Sequence, residues 1–477
     1  MPLILPGNVA TELGAGYEVA NSCLFNDDDT AYMHRTPGSA GNQKKWTFSC
    51  WFKRGNLGAQ ASEMRIFGGN ANASHIYLTS GDLLRWDIAD DGSGSGDAAL
   101  GPSMLFRDIA SWYHIVCALD TDHATANNRM RIYVNGTEIT DFATRSNPDS
   151  GHATNSMNDD TMHTIGYRHA NQGSAGMEFD GYLAEVVFID GQQYAASSFG
   201  EFDSDSPNIW KPIDVSGLTF GTNGFYLDFE DSGDLDDDES GNGNDWTAVN
   251  LASTDQMLDS PTNNFCVLNN LEAETATTSY AQGNLAGTTS NAARSTFAVN
   301  KGKWYWEHRF VNKEDMGGVM AYAKTDGSSW FAPNAYTINA LIQGSNPELV
   351  LNGTEQSSWS GDGTPDALTD NQILNVALDC DNNRIAFGVN GAWLNNLDGS
   401  GEWSGTTLNY SSITTGYDYS PAFRTGSGTN RVSHMNFGSP FYTISSGNSD
   451  ANGYGNFEYA VPSGFFSLCS KNLGQYG

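Results

Sequence analysis

The chain has no apolar run long enough to cross a bilayer, and its opening Met1-Pro2-Leu3-Ile4-Leu5-Pro6-Gly7 has neither the basic start nor the apolar stretch of an export signal. Basic residues are scarce, with 23 Lys and Arg against 56 Asp and Glu and a formal charge of −33. A phosphate backbone or an anionic membrane surface repels such a chain, so neither nucleic acid nor membrane insertion is expected. The six cysteines, Cys23, Cys50, Cys117, Cys266, Cys380 and Cys469, show no C-x-x-C or metal-ligand spacing and read as reduced structural thiols of a chain that folds in a cytoplasm. Walker A, dinucleotide and G-x-S-x-G motifs are missing. So is the E-x-D-x-E run that sets three carboxylates on one strand face for double displacement; Glu178-Phe179-Asp180 and Glu201-Phe202-Asp203 lack the third. No catalytic residues are assigned, and the chain reads as a non-enzyme.

What is abundant is turn and strand material, with 53 Gly, 12 Trp, 20 Tyr and 24 Phe. One strand-turn-strand is written twice. Ala118-Leu119-Asp120, Asn127-Asn128-Arg129 and Met130-Arg131-Ile132-Tyr133-Val134-Asn135-Gly136 return as Ala377-Leu378-Asp379, Asn382-Asn383-Arg384 and Ile385-Ala386-Phe387-Gly388-Val389-Asn390-Gly391. Met130, Ile132 and Val134, like Ile385, Phe387 and Val389, alternate onto one face. Each copy ends in Asn-Gly, which tolerates the positive φ that a type I′ turn requires at both central positions. The expectation is an all-β protein of two antiparallel β-sandwich (jelly-roll-like) domains.

In chain order, residues 1–16 read as an N-terminal arm, and 17–250 as the first sandwich. Within 17–250, the order W-T-F-S-C-W-F-K (46–53), W-Y-H-I-V (112–116), R-I-Y-V-N-G (131–136) and F-D-G-Y-L-A-E-V (179–186) resembles the laminin-G-like jelly rolls of the concanavalin A-like lectin superfamily. Phe225–Glu230 and Ser240–Trp246 look like that family's opening strand and turn, displaced to the end, so 225–250 is either a permuted edge strand or a look-alike linker. Polar, turn-rich 251–264 is the expected linker. G-K-W-Y-W-E (302–307), G-G-V-M-A (317–321), A-L-D (377–379) and P-A-F (421–423) resemble the SPRY domain, over 265–440. That resemblance implies a sandwich that binds protein or peptide through its loops and has no catalytic machinery. A Gly/Asn-rich C-terminal segment, 441–477, has no counterpart in it.

Two site expectations follow. The alternating Asp234, Asp236 and Asp238, in a run of acids without His or Cys, offer the hard oxygen ligands Ca²⁺ selects, although a solvated acidic linker explains them as simply. Aromatics in loop-like settings, Trp330, Phe331, Tyr336, Trp359, Trp393 and Trp403, could form a stacking platform for sugar rings or a patch for a protein, although core or inter-sheet packing accounts for most such residues; Trp330, Tyr336, Trp359 and Trp393 are the candidate ligand-binding residues. Together the two recognition modules, the arm and the acidity resemble a virion structural protein of a bacteriophage, a tail-fibre or capsid-decoration component made in the host cytoplasm. Its expected partners are other virion proteins, further copies of itself and a host glycan. The alternative is a secreted or surface carbohydrate-active enzyme or an adhesin of the lectin superfamily.

Overall fold

The computed structural model describes residues 16–57, 63–69, 74–88, 98–154, 156–168, 176–272, 279–289, 292–311, 315–322, 337–343, 346–351, 354–355, 369–395, 403–413, 415–425 and 431–477. The arm, 1–16, lies outside them except for its last residue. The described residues form two compact units that meet in sequence at Thr262 and Asn263. Both are all-β, as the alternation requires.

In the first unit the strands are β1 (Ser22–Phe25), β2 (Tyr32–Arg35), β3 (Lys45–Arg54), β4 (Glu63–Gly68), β5 (Ser74–Thr79), β6 (Leu84–Ile88), β7 (Ala98–Pro102), β8 (Tyr113–Asp120) and β9 (Met130–Val134). They continue with β10 (Thr137–Glu138), β11 (Phe142–Ser146), β12 (His163–Ile165), β13 (Gly181–Asp190), β14 (Gly200–Phe202), β15 (Trp210–Pro212), β16 (Phe225–Leu227), β17 (Thr247–Val249) and β18 (Gln256–Met257). One sheet runs β10-β9-β8-β3-β13-β1-β18, with β16 also on β13; the other runs β11-β7-β6-β5-β4-β12-β2-β17. Trp46, Phe48, Cys50 and Phe52 of β3 face Ile66, Ile76, Trp86 and Leu100 across the core, which is what period-2 alternation dictates. The opposite face of β8, β9 and β13 is also apolar. Val116, Tyr133, Val187 and Ile189 are covered there by Phe199, Val215, Phe220 and Tyr226 from the segment after β13.

His114 lies on that covered face. Trp210 Nε1 donates to its Nδ1 at 3.0 Å, so Nε2 carries the proton and donates to Ser49 Oγ at 2.9 Å. Burial holds the imidazole down to about 3, and it stays neutral.

Residues 225–250 supply β16 on β13 and β17 on β2. The stretch expected as a linker, 251–264, is corrected: β18 pairs with β1, Asp259 is buried, and Thr262 Oγ1 both accepts from Val19 N and donates to Val19 O at 3.1 Å. Its polarity serves internal hydrogen bonds and not solvation.

In the second unit the strands are β19 (Ser279–Ala281), β20 (Ala286–Thr289), β21 (Ala292–Arg294), β22 (Lys303–Phe310), β23 (Asp315–Tyr322), β24 (Thr337–Gln343), β25 (Asn346–Leu351), β26 (Thr354–Glu355) and β27 (Ile373–Asp379). They continue with β28 (Arg384–Val389), β29 (Ala392–Leu394), β30 (Trp403–Gly405), β31 (Ser411–Ser412), β32 (Asp418–Thr425), β33 (Arg431–Asn436) and β34 (Phe466–Ser467), followed by helix α1 (Ser470–Tyr476). One sheet runs β19-β20-β33-β22-β27-β28-β29-β30, with β31 on β28 and β34 on β22; the other runs β21-β32-β23-β24-β25-β26. Along β22, Trp304, Trp306, His308 and Phe310 alternate with Tyr305 and Glu307, and all are buried. Tyr305 and Glu307 are buried because the C-terminal segment is an integral layer. Phe457 and Phe465 pack on Tyr305, Ala377, Ala386 and Trp393.

The repeated turns are built alike. Asn135 and Gly136 have φ of 45° and 78°, Asn390 and Gly391 of 50° and 80°. Each Asn side chain accepts from the strand preceding the hairpin, Asn135 from His114 N of β8 at 2.8 Å and Asn390 from Ile373 N of β27 at 3.0 Å. Each Gly lies against an aromatic ring of the covering segment, Trp210 or Tyr459, where a Cβ would collide. All six cysteines are buried and none forms a disulfide.

Candidate functional site

The polar positions of β4, β5 and β6 alternate with core residues and so share the outer face of their sheet. Register sets them in rows: Arg65 lies opposite Tyr77 and Tyr77 opposite Arg85, while His75 lies opposite Asp87. Arg85 Nε donates to Asp87 Oδ1 at 2.8 Å and Tyr77 Oη to Asp87 Oδ2 at 2.9 Å. The His75 ring lies 4.7 Å from that of Tyr77, and its Nε2 stands 3.7 Å from Glu63 and 4.0 Å from Asp87. Tyr32 of β2 and Tyr167 stack at 4.7 Å on the same sheet.

The electrostatics are unusual for so acidic a chain. Burial first, then the charges of Arg65, Arg168 and Arg85, hold His75 well below its ordinary value, so it is neutral. Burial also lowers Arg65 to about 10, against the opposing pull of Glu63. Arg65 Nη2 stands 3.5 Å from Glu63, and among the described residues its Nε, Nη1 and Nη2, like His75 Nδ1, have no hydrogen-bond partner within bonding geometry. Buried donors left in this way are costly.

Of the residues singled out in the sequence, Trp330, Tyr336 and Trp359 lie outside the described residues. Trp393 is corrected from a stacking platform to a core residue: it is buried beside Tyr305, Phe457 and Phe465, because the C-terminal segment covers its face of the sheet. Trp393→Ala should therefore cost the second unit about 3 kcal/mol or more, read as a lower midpoint in denaturant unfolding, as for other large buried aromatics.

Asp234, Asp236 and Asp238 are not brought together as a ligand set. Asp238 is buried and its oxygens accept from Tyr226 N at 2.9 Å, Ser240 N at 2.9 Å and Asn244 N at 2.8 Å. Asp236 Oδ2 accepts from Ala248 N at 2.6 Å, while Asp234 is exposed and pushed up by its hydrogen bond to Asp236 and by neighbouring acids. Among the described residues no group of three or more His, Cys, Asp and Glu side chains is placed to hold a metal ion. The alternation that suggested Ca²⁺ instead holds a turn between β16 and β17.

The sequence reasoning missed Arg65, His75, Tyr77, Arg85 and Asp87. Their signal was the polar half of each alternation, Glu63/Arg65, His75/Tyr77 and Arg85/Asp87, in strands recognised for their apolar half.

Residues 27–198 match the family model described as the Concanavalin A-like lectin/glucanases superfamily. No curated protein matches the chain. Among solved structures, the native heptameric SAP-like pentraxin from Limulus polyphemus aligns at 14% identity over 38% of this chain and 80% of its own, with a TM-score of 0.28. The SPRY domain of human HERC1 aligns at 15% identity over 32% of this chain and 87% of its own, with a TM-score of 0.23. The TRIM65 PSpry domain aligns at 11% identity over 36% of this chain and 91% of its own, with a TM-score of 0.27.

Proposed function

We propose that the chain is a non-enzymatic recognition protein whose first unit binds a saccharide against the outer face of β4, β5 and β6. The observation that carries this reading is the Arg65-Tyr77-Arg85 row beside His75 and Asp87, where planar rings and forked donors stand together and, among the described residues, several buried donors lack acceptors. Sugar hydroxyls and ring faces suit such a surface. In its finer form the protein is a structural component of a bacteriophage particle, a tail fibre or capsid decoration, that meets a host glycan or neighbouring particle proteins. Two sandwich modules in one strongly acidic chain support that form.

The test is a glycan array followed by titration of the best-bound saccharide. Arg85 is part-exposed, so Arg85→Ala should leave the melting of the fold intact and weaken binding about tenfold, equivalent to about 1.4 kcal/mol. No binding to any saccharide, or equal binding by the variant, overturns the saccharide reading. Absence of the chain from purified particles overturns the virion reading alone. A second reading, hydrolysis, draws on Glu63 and Asp87 flanking one imidazole; release of sugar by the purified chain, lost in Glu63→Gln, would put it first.

A further inference from the structure

Lys53 and Asp259 form an ion pair unlike the others of the first unit. Nζ stands 2.7 Å from Oδ2, with side chains 0% and 1% exposed, although the residues are 206 apart in sequence. Lys45 and Asp120 are almost as close, at 2.8 Å, but 36% and 15% exposed. Arg54 and Asp82 are comparably buried, but a guanidinium is no nucleophile. Asp259 Oδ1 accepts from Trp112 Nε1 at 2.9 Å, and Lys53 Nζ lies 5.6 Å from the centroid of the Tyr182 ring. Trp112 and Tyr182 pack on each other at 6.2 Å, so aromatic rings wall the pair.

From this geometry we propose that Lys53 and Asp259 condense to an isopeptide bond, a covalent clasp between central strand β3 and the segment after β18. In the reaction a proton passes from Nζ to Oδ2 along their 2.7 Å contact, leaving an amine and a carboxylic acid. The Nζ lone pair then attacks Cγ, and the charge that collects on Oδ1 meets the Trp112 N–H already aimed at it. The second amine proton goes to the departing Oδ2–H, which leaves as water. An Nζ–Cγ amide forms and a Cγ–Oδ2 bond breaks, with nothing oxidised or reduced and no further reactant needed. The fold supplies the proximity, for which well-oriented intramolecular reactions reach effective molarities of about 10⁵ M or more. The amide oxygen still accepts from Trp112 Nε1, and the bond removes two buried charges.

The full chain, purified and denatured, is weighed intact. Expected is a mass lower than that of the sequence by one water, with tandem spectra of a digest showing the Lys53 and Asp259 peptides joined as a branched species. Lys53→Arg, which keeps the ion pair but cannot form this amide, should have its full mass. The sequence mass throughout the wild-type chain overturns the proposal. A missing water that maps to a linear peptide, as a cyclised Asp would give, overturns it equally.

Discussion

Glu185→Gln will flatten the pH dependence of the first unit's stability between pH 5 and pH 9. A bulge in β13 between Ala184 and Val187 puts Glu185 at a φ of 49° and under the hydroxyls of two tyrosines. Tyr226 Oη donates to it at 3.0 Å and Tyr17 Oη at 3.3 Å. Those bonds favour the carboxylate, but burial is the larger effect, and it lifts the carboxyl from 4.5 to about 8. A raised folded value means that the folded state binds the proton more tightly. The stabilisation is therefore complete below about pH 4.5 and is lost as pH rises through about 8. Across pH 5 to 9 the loss is about 4 kcal/mol, because each tenfold gain in proton affinity on folding is worth about 1.4 kcal/mol. Gln has no proton to lose. Denaturant unfolding of both proteins at the two pH values should show the wild type losing about that much more than the variant. Parallel losses would mean that Glu185 ionises in the ordinary carboxylate range and that the tyrosines hold a charged group.

Ending the chain at residue 440 will unfold the second unit and leave the first intact. The removed segment supplies the buried Phe457, Phe465, Leu468 and Leu473, each worth about 1.5–3 kcal/mol of burial. It also supplies β34, which pairs with Trp304 and Tyr305 of β22. Glu307 is lifted to about 7 by burial and accepts from Glu458 N at 3.0 Å and Tyr459 N at 2.8 Å, besides Tyr305 and Asn436. Truncation removes both backbone donors and opens the Tyr305 face to water. The four side chains alone come to about 6–12 kcal/mol, already comparable with the roughly 5–15 kcal/mol by which domains are stable, before the Glu307 and β34 losses are added. Calorimetry of the truncated chain should show the first unit's transition alone. Survival of the second would show that this segment is only an accessory layer.

Much of this fold was legible because its strands obey a simple rule. In β3, β9 and β28 every second residue is apolar and enters the core, and two Asn-Gly pairs name their own turns. Residues 251–264 were misread, and 441–477 had no assigned role, for a shared physical reason. Polar and Gly-rich sequence looks like linker when its hydrogen bonds are satisfied by distant partners that local pattern cannot show. Asp259 needs Lys53, and Asp450 accepts from Ser467 and Asn472 across the C-terminal layer. The candidate site was hidden in the same way, since Arg65, Tyr77 and Arg85 become neighbours only once strand register is fixed. The tryptophans drew attention by size, yet Trp393 is large because it fills a core.

The paired Asn-Gly turns bear on how the protein ages. With no Cβ on the following residue, Asn-Gly is the dipeptide in which the next backbone nitrogen most easily attacks the Asn side-chain carbonyl, expelling ammonia and leaving a cyclic imide that opens to Asp or its β-linked isomer. Here each Asn Oδ1 is anchored by a strand N–H, and each Gly is pressed under Trp210 or Tyr459, so the amide cannot swing onto the chain that follows it. Intact hairpins thus protect two of the six Asn-Gly bonds in the sequence, and imide or isoaspartate at residues 135 or 390 becomes a chemical record of molecules whose hairpins have opened.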